Sequence, residues 1–281
     1  MMQSAQDLFR FVRWRLVPLR YAGKWKRALT RSGKQAPRLS NVECIEREGY
    51  VQGPRIDPTT LQEIGAKYHP RCAKVTPTRG GHPFVNLLTP ADYSTDDPVV
   101  RLAFSHGVLD VAHDYFCGRL SLDSIQVLYS WPTQEMCESQ MWHKDYGDSR
   151  SFHWIAYLND VATDDDGPFV FVNKADTRRI GRSPFIRRID DQRFFRELGS
   201  GELRRFLGQA GESVYVDPSA CYHYGSRCKN PRLAIFITFN TARPFVPATD
   251  PVRNNPQKLF EVGRTLRPDL TDAYLRQLLT T

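Results

Sequence analysis

Gln140-Met-Trp-His143-Lys-Asp145 places an imidazole and a carboxylate two residues apart. In an extended strand that spacing projects both side chains from one face, so His143 and Asp145 would stand side by side. With one further histidine they complete a two-histidine, one-carboxylate set. Such a set holds a non-haem iron(II) from one side and leaves three positions open. The pair alone specifies little, because a chain with seven histidines reaches an H-x-D by chance readily.

The downstream half of the pattern adds weight. His223 follows an apolar segment, Ser213–Val216, and an Asp217-Pro218 turn; nine residues later Arg232 opens Arg232-Leu-Ala-Ile-Phe-Ile-Thr-Phe239. Strand alternation puts Arg232, Ala234, Phe236 and Thr238 on one face. A permanently charged arginine facing a barrel interior calls for an anion. A dicarboxylate chelating the metal through one end would bring its other carboxylate there for a charge-assisted pair. The plainer alternatives are ordinary polar groups at the three ligand positions and an edge arginine in solvent.

These residues need strands to position them, and the chain supplies strands after residue 120. Ile125–Tyr129, Phe152–Leu158, Phe169–Val172, Ser213–Val216 and Leu233–Phe239 are β-branched and aromatic. Turns such as Asp166-Gly-Pro168 and Asp217-Pro218 separate them, which predicts a sandwich or jelly roll. Ahead of this block, residues 58–68 and 97–118 read as helices and 30–57 as loop. Residues 190–208 read as an inserted helical segment, and 257–280 as a helical tail after a Pro- and Asn-rich linker. The expected organisation is a single domain over 1–281. A helical and loop region (1–118) packs on a β core (120–245), and a tail (246–281) follows.

Residues 5–29 form a basic amphipathic pattern. Arg10, Arg13, Arg20, Lys24 and Arg27 fall near one helical face, and Pro18 should kink it. Such a helix suits peripheral contact with an acidic membrane; a helix packed on the domain with its arginines in water is the alternative. No run of about 18 apolar residues predicts a spanning helix. Thirty-nine Lys and Arg against 31 Asp and Glu favour anionic partners. Six cysteines without a C-x-x-C pair argue against a zinc ribbon and fit a reducing cytosol, so a cytoplasmic location is expected.

Taken together, Gln140-x-Trp-His143-x-Asp145, Tyr157-Leu-Asn-Asp-Val161, Asp166-Gly-Pro-Phe-Val-Phe-Val172, and His223 followed by Arg232 at the head of an apolar strand resemble the phytanoyl-CoA dioxygenase-like branch of the 2-oxoglutarate oxygenases. The resemblance spans about residues 120–245. It implies a mainly β fold with flanking helices (α+β) around a double-stranded β-helix core, the cupin-like jelly roll. It also implies iron(II) held by His143, Asp145 and His223, 2-oxoglutarate anchored by Arg232, and use of O2. The outcome would be hydroxylation of a small-molecule or lipid- or glycan-linked substrate, with succinate and CO2 as co-products. The carboxylate at Asp145 matters, since halogenating relatives lack it.

Three departures stand out. Asn173-Lys-Ala-Asp176-Thr-Arg-Arg179 replaces the Pro-Gly-Ser-His that is common in the family. The interval from His223 to Arg232 is short. Gly225 sits where relatives often carry a small hydroxyl residue, a part that Ser226 can take. Tyr129 is a further candidate for hydrogen bonding the co-substrate, with a core tyrosine as the alternative. His153 and Tyr157 share a strand face and are expected to look into the barrel or pack within it. Arg178, Arg179 and Arg182 could meet an anionic substrate or form a solvated loop. Two other functions stay open at this level: a non-catalytic jelly-roll binding protein, and an oxygenase acting on protein or nucleic acid. The second is favoured by net charge alone, because no aromatic and basic stacking platform surrounds the site.

Overall fold

The computed structural model describes residues 40–76, 83–133, 136, 138–145, 147–180 and 188–279. The basic segment 5–29 and Arg182 lie outside them. The strands are β1 (Tyr50–Gln52), β2 (Phe84–Asn86), β3 (Leu120–Ser130), β4 (Trp142–His143), β5 (Ser151–Tyr157) and β6 (Phe169–Phe171). They continue with β7 (Arg188–Ile189), β8 (Arg204–Phe206), β9 (Ser213–Val216), β10 (His223–Tyr224) and β11 (Arg232–Thr241). They pair antiparallel in two sheets, ordered β1-β9-β5-β11-β3-β2 and β7-β4-β10-β6-β8. Ile155, Val214 and Val216 of the larger sheet meet Phe169 and Phe171 of the smaller one in a shared apolar layer. The fold is thus a jelly roll with flanking helices.

Alternation along β11 decides what each face does. Leu233, Ile235 and Ile237 point outward with Ile125 and Val127 of β3, under a cover of helices. That cover contains α1 (Asn41–Glu48), α2 (Pro58–Cys72), α3 (Pro98–Phe104) and α4 (Val111–Tyr115) from before the core. From after it come α7 (Asp250–Arg253), α8 (Pro256–Leu266) and α9 (Asp272–Leu279). Arg232, Ala234, Phe236 and Thr238 are left pointing inward.

Several elements differ from the sequence reading. Residues 41–48 form a helix where loop is expected. Ser40 Oγ accepts from the Glu43 amide and the Glu43 carboxylate accepts from the Ser40 amide, a capping box. Gly49 ends that helix at φ 93°, where a Cβ would strike Cys221 Sγ. The 97–118 segment is not one helix, because Ser105 takes extended backbone between α3 and a π-helical turn, His106–Asp110. The 190–208 insert is helical only in α6 (Asp191–Leu198) before it becomes β8, which pairs with β6. The tail is two helices that break at Arg267, the residue before Pro268, where helical backbone is disfavoured. No helix among the described residues is long and apolar enough to cross a membrane.

Two local features bear on the site. Strand β4 has only two residues, and Trp142 points away from the barrel. Its ring lies flat on Phe194 of α6 at 3.5 Å between centroids, with the Tyr224 edge at 4.6 Å. In the larger sheet, Ser124 pairs with Thr238 but Leu122 pairs with Phe239, so Asp123 is an extra, bulged residue. The bulge brings its carboxylate to inward-facing Asn240, whose Nδ2 donates at 3.1 Å.

Trp142→Ala should cost about 3–5 kcal/mol in urea unfolding, the range for emptying a large aromatic site. A cost below about 1 kcal/mol would mean that the stack does not hold β4. Burial pushes the Asp123 carboxyl up to about 6, above its ordinary 3.8. The folded state therefore binds more protons than the unfolded state between these values. The penalty for charging Asp123 is absent below about pH 4 and complete above about pH 6. Asp123→Asn should thus gain stability relative to wild type as pH rises from 4 to 6.5, measured on chelator-treated proteins. Parallel stability curves would refute this.

Candidate functional site

Two ladder-paired strands of the smaller sheet bring the histidines together. His223 of β10 lies directly opposite His143 of β4, and cross-strand partners share a face. Their rings are 4.3 Å apart. Each ring is oriented by its own backbone: His143 Nδ1–H donates to Met141 O at 2.8 Å, and His223 Nδ1–H to Cys221 O at 3.0 Å. This assignment leaves both Nε2 lone pairs aimed at one point.

Asp145 follows β4, its amide tied to Pro218 O at 3.0 Å. Its Oδ1 lies 3.6 Å from His143 Nε2 and 3.7 Å from His223 Nε2. Its Oδ2 lies 3.2 Å from His153 Nε2. One ligand atom from each of His143, Asp145 and His223 falls within 4.8 Å of the others. Burial lowers His143 and takes His223 down to about 3, so both are neutral donors at neutral pH. Burial alone would raise Asp145; the hydrogen bond from His153 and the surrounding imidazoles reverse this and hold it well below the usual carboxylate range. Two neutral imidazoles and one carboxylate are the donor set suited to a non-haem iron(II).

Arg232 heads β11 and is 1% exposed. Its Nη1 donates to the Gly167 carbonyl and its Nη2 to Ser226 Oγ at 2.8 Å. Among the described residues no carboxylate pairs with it, and its Nε is buried without a partner. Burial lowers its pKa, against the pull of Tyr157 and Cys228. A buried guanidinium held only by neutral groups fits one end of a dicarboxylate.

Two positive-φ backbone positions flank Arg232. Gly167 sits at φ +66°, where a Cβ would meet Cys228 at 2.5 Å. Ser226 takes φ +61°, rare for a residue with a side chain. Ser226 is fixed by Ser130 Oγ at 3.1 Å and by Gln140 Nε2 donating to its carbonyl at 2.7 Å. Tyr157 Oη donates to Phe206 O and accepts from the Phe169 amide.

Of the residues singled out from sequence, the structure brings His143, Asp145 and His223 into one group, and Arg232 and Ser226 into another. Tyr129 joins neither. It shares the outer face with Val127 and packs against the helical layer, beside Trp131. We therefore assign it no part in holding a co-substrate. Arg178 and Arg179 are exposed on the turn after α5 (Lys174–Thr177). Arg227 was not anticipated. Its guanidinium pairs with both oxygens of Asp191, stacks 3.7 Å over Tyr224, and its Nε donates to Gln140 O. It thereby staples α6, β10 and the start of β4 together. Only its position four residues after His223 could have marked it.

No family model matches this chain, and no curated protein does. Among solved structures it is similar to EctD from S. alaskensis in its apoform, with TM-score 0.56 and 15% identity over 78% of this chain and 84% of that one. It is also similar to the epimerase SnoN in complex with Fe3+, alpha ketoglutarate and nogalamycin RO, with TM-score 0.53 and 16% identity over 72% and 82%. A third likeness is to the non-heme alpha ketoglutarate dependent carbocyclase SnoK from nogalamycin biosynthesis, with TM-score 0.53 and 18% identity over 76% and 88%. At these identities the likeness shows a shared fold: two antiparallel sheets closed as a cupin-like jelly roll with flanking helices.

Proposed function

We propose that this chain is an iron(II)- and 2-oxoglutarate-dependent oxygenase that hydroxylates a small molecule, working as one domain. The observation that carries the reading is the buried Arg232, paired with no carboxylate among the described residues, in the same barrel as the His143, Asp145 and His223 donor set. Neither half specifies the reaction alone. Together they match a co-substrate that bridges a metal and a cation. The structural neighbours with alpha ketoglutarate in their descriptions support it.

In this reading His143, Asp145 and His223 would hold the iron. Iron with 2-oxoglutarate and O2 supplies oxidative decarboxylation to succinate and CO2, coupled to oxidation of a substrate C–H bond. The chain's own residues bind and orient. Arg232, through Nη2 and the unpartnered Nε, with Ser226 Oγ beside it, would grip the remote carboxylate of the co-substrate. Phe169, Phe171 and Ile155 keep water from the pocket floor.

For the substrate we propose a small molecule that is anionic or lipid- or glycan-linked, and Arg188 favours the anionic alternative. Arg188 pairs with His143 in the ladder, so it leaves the sheet on the metal-facing side, and it is exposed. Its charge contributes to the lowering of His143.

Wild-type protein with iron(II), ascorbate and 2-oxoglutarate should form succinate, and His143→Ala should not. Arg232→Met should weaken 2-oxoglutarate binding roughly 10- to 100-fold, from the ~1.5–3 kcal/mol of a charge-assisted hydrogen bond. Absence of both turnover and 2-oxoglutarate binding in the wild type would defeat the proposal. Product analysis separates hydroxylation from epimerisation or ring closure. In a panel of metabolites that stimulate succinate formation, Arg188→Ala should weaken stimulation by phosphorylated or carboxylated members more than by neutral ones. Equal losses would remove the anionic assignment.

A further inference from the structure

The metal-binding carboxylate has a partner that the three-ligand pattern does not contain. His153 lies on β5 of the larger sheet, in register with Thr238 and Val216, and faces inward. Its Nε2 reaches across the barrel to Asp145 Oδ2 at 3.2 Å, while Oδ1 of the same carboxylate faces His143 and His223. The two oxygens therefore have different surroundings. One is tethered to the opposite sheet and the other is left to the site.

The ring's remaining nitrogen sharpens this. His153 Nδ1 is buried and has no hydrogen-bond partner among the described residues. A histidine kept for packing would be expected to satisfy both nitrogens or to be replaced by an apolar ring of similar size, since an unpaired buried acceptor is costly. Hydrogen on Nε2 suits the observed contact, because a carboxylate oxygen can only accept. The Phe236 ring, edge-on at 6.1 Å between centroids, limits how the imidazole can turn.

We infer that His153 is a positioning residue for the metal: its Nε2–H holds Asp145 Oδ2, so that the carboxylate offers one oxygen to the ion. Without this tether the carboxylate could rotate or bind through both oxygens, occupying a position that the reaction needs open. The inference rests on the iron-site reading above and assigns a partner that the sequence motif does not include. Groups of this kind orient metal ligands elsewhere, and losing them typically costs about 10- to 100-fold in metal affinity.

The test is titration of cobalt(II) alone into chelator-treated protein, followed by visible absorption and calorimetry, without co-substrate. His153→Phe keeps a ring and removes the donor; it should bind cobalt about 10- to 100-fold more weakly and alter the visible bands. His153→Gln keeps an N–H at similar reach and should bind within about threefold of wild type. Should the Phe variant not fold, judged by far-ultraviolet circular dichroism, His153→Met takes its place, with the length of Gln and no donor. If the donor-free variant binds like wild type, or the Gln variant binds as weakly as the donor-free one, the inference is overturned. If wild type holds no cobalt, the iron-site reading falls and the inference with it.

Discussion

A guanidinium that pairs with no carboxylate among the described residues, enclosed between two sheets, is the constraint around which this barrel is organised. Removing a charge from water costs several kcal/mol even after relaxation, and Arg232 recovers part of that from the Gly167 carbonyl and the Ser226 hydroxyl. Both partners depend on unusual backbone. Gly167 must be glycine because its φ is positive and Cys228 lies against it, and Ser226 is held at positive φ by Ser130 and Gln140. The turn bearing Gly167 is in turn fixed to the loop before Arg232. The Lys229 and Asn230 amides donate to Asp165 O, and Asn230 Nδ2 to Asp166. The strained backbone of Ser226, compensated by these neighbours, is of the kind found at ligand sites.

The donor set shows the opposite economy of means, since its orientation comes almost free from secondary structure. Each histidine donates Nδ1–H to the carbonyl two residues before it. The same backbone that forms the strand thus selects the tautomer that exposes Nε2. Burial then keeps both rings neutral, and the cluster's polarity keeps Asp145 ionised. All three shifts run downward, so the group meets a cation without a proton having to leave.

What the chain announced in advance and what it did not can be separated by the range of the interactions involved. The five core strands were legible because each is an apolar run bounded by turn residues, and β9 matches residue for residue. The nearness of His143 and Asp145 and the inward face of Arg232 were legible because spacing along the chain translates into a shared face, whereas His223 joins them only through the β10–β4 ladder. Tyr129 shows the same rule in reverse, for it faces outward. It is one residue from Ser130, which contacts Ser226, and a single step along a strand turns the side chain to the other face. The α1 helix was missed although its capping box, Ser40-x-x-Glu43, stood in the sequence, because polar and proline-rich neighbours masked it. Arg227 and the partnership of His153 with Asp145 depend on which strands meet in space, and no local pattern encodes that.

Strand β4 links these two kinds of information. With two residues it has little ladder of its own, so its position depends on what Trp142 does outside the barrel. Trp142 lies against Phe194 and Tyr224, Arg227 closes over Tyr224, and Asp191 holds Arg227 in place. The next residue, His143, points the other way into the donor set. Because consecutive strand residues face opposite sides, any displacement of α6 that shifts Trp142 must also move His143. The outer packing of the smaller sheet and the geometry of the His143, Asp145 and His223 group are therefore one mechanical unit. The helix inserted before β8, which contributes no side chain to that group, is part of what keeps its three members converged.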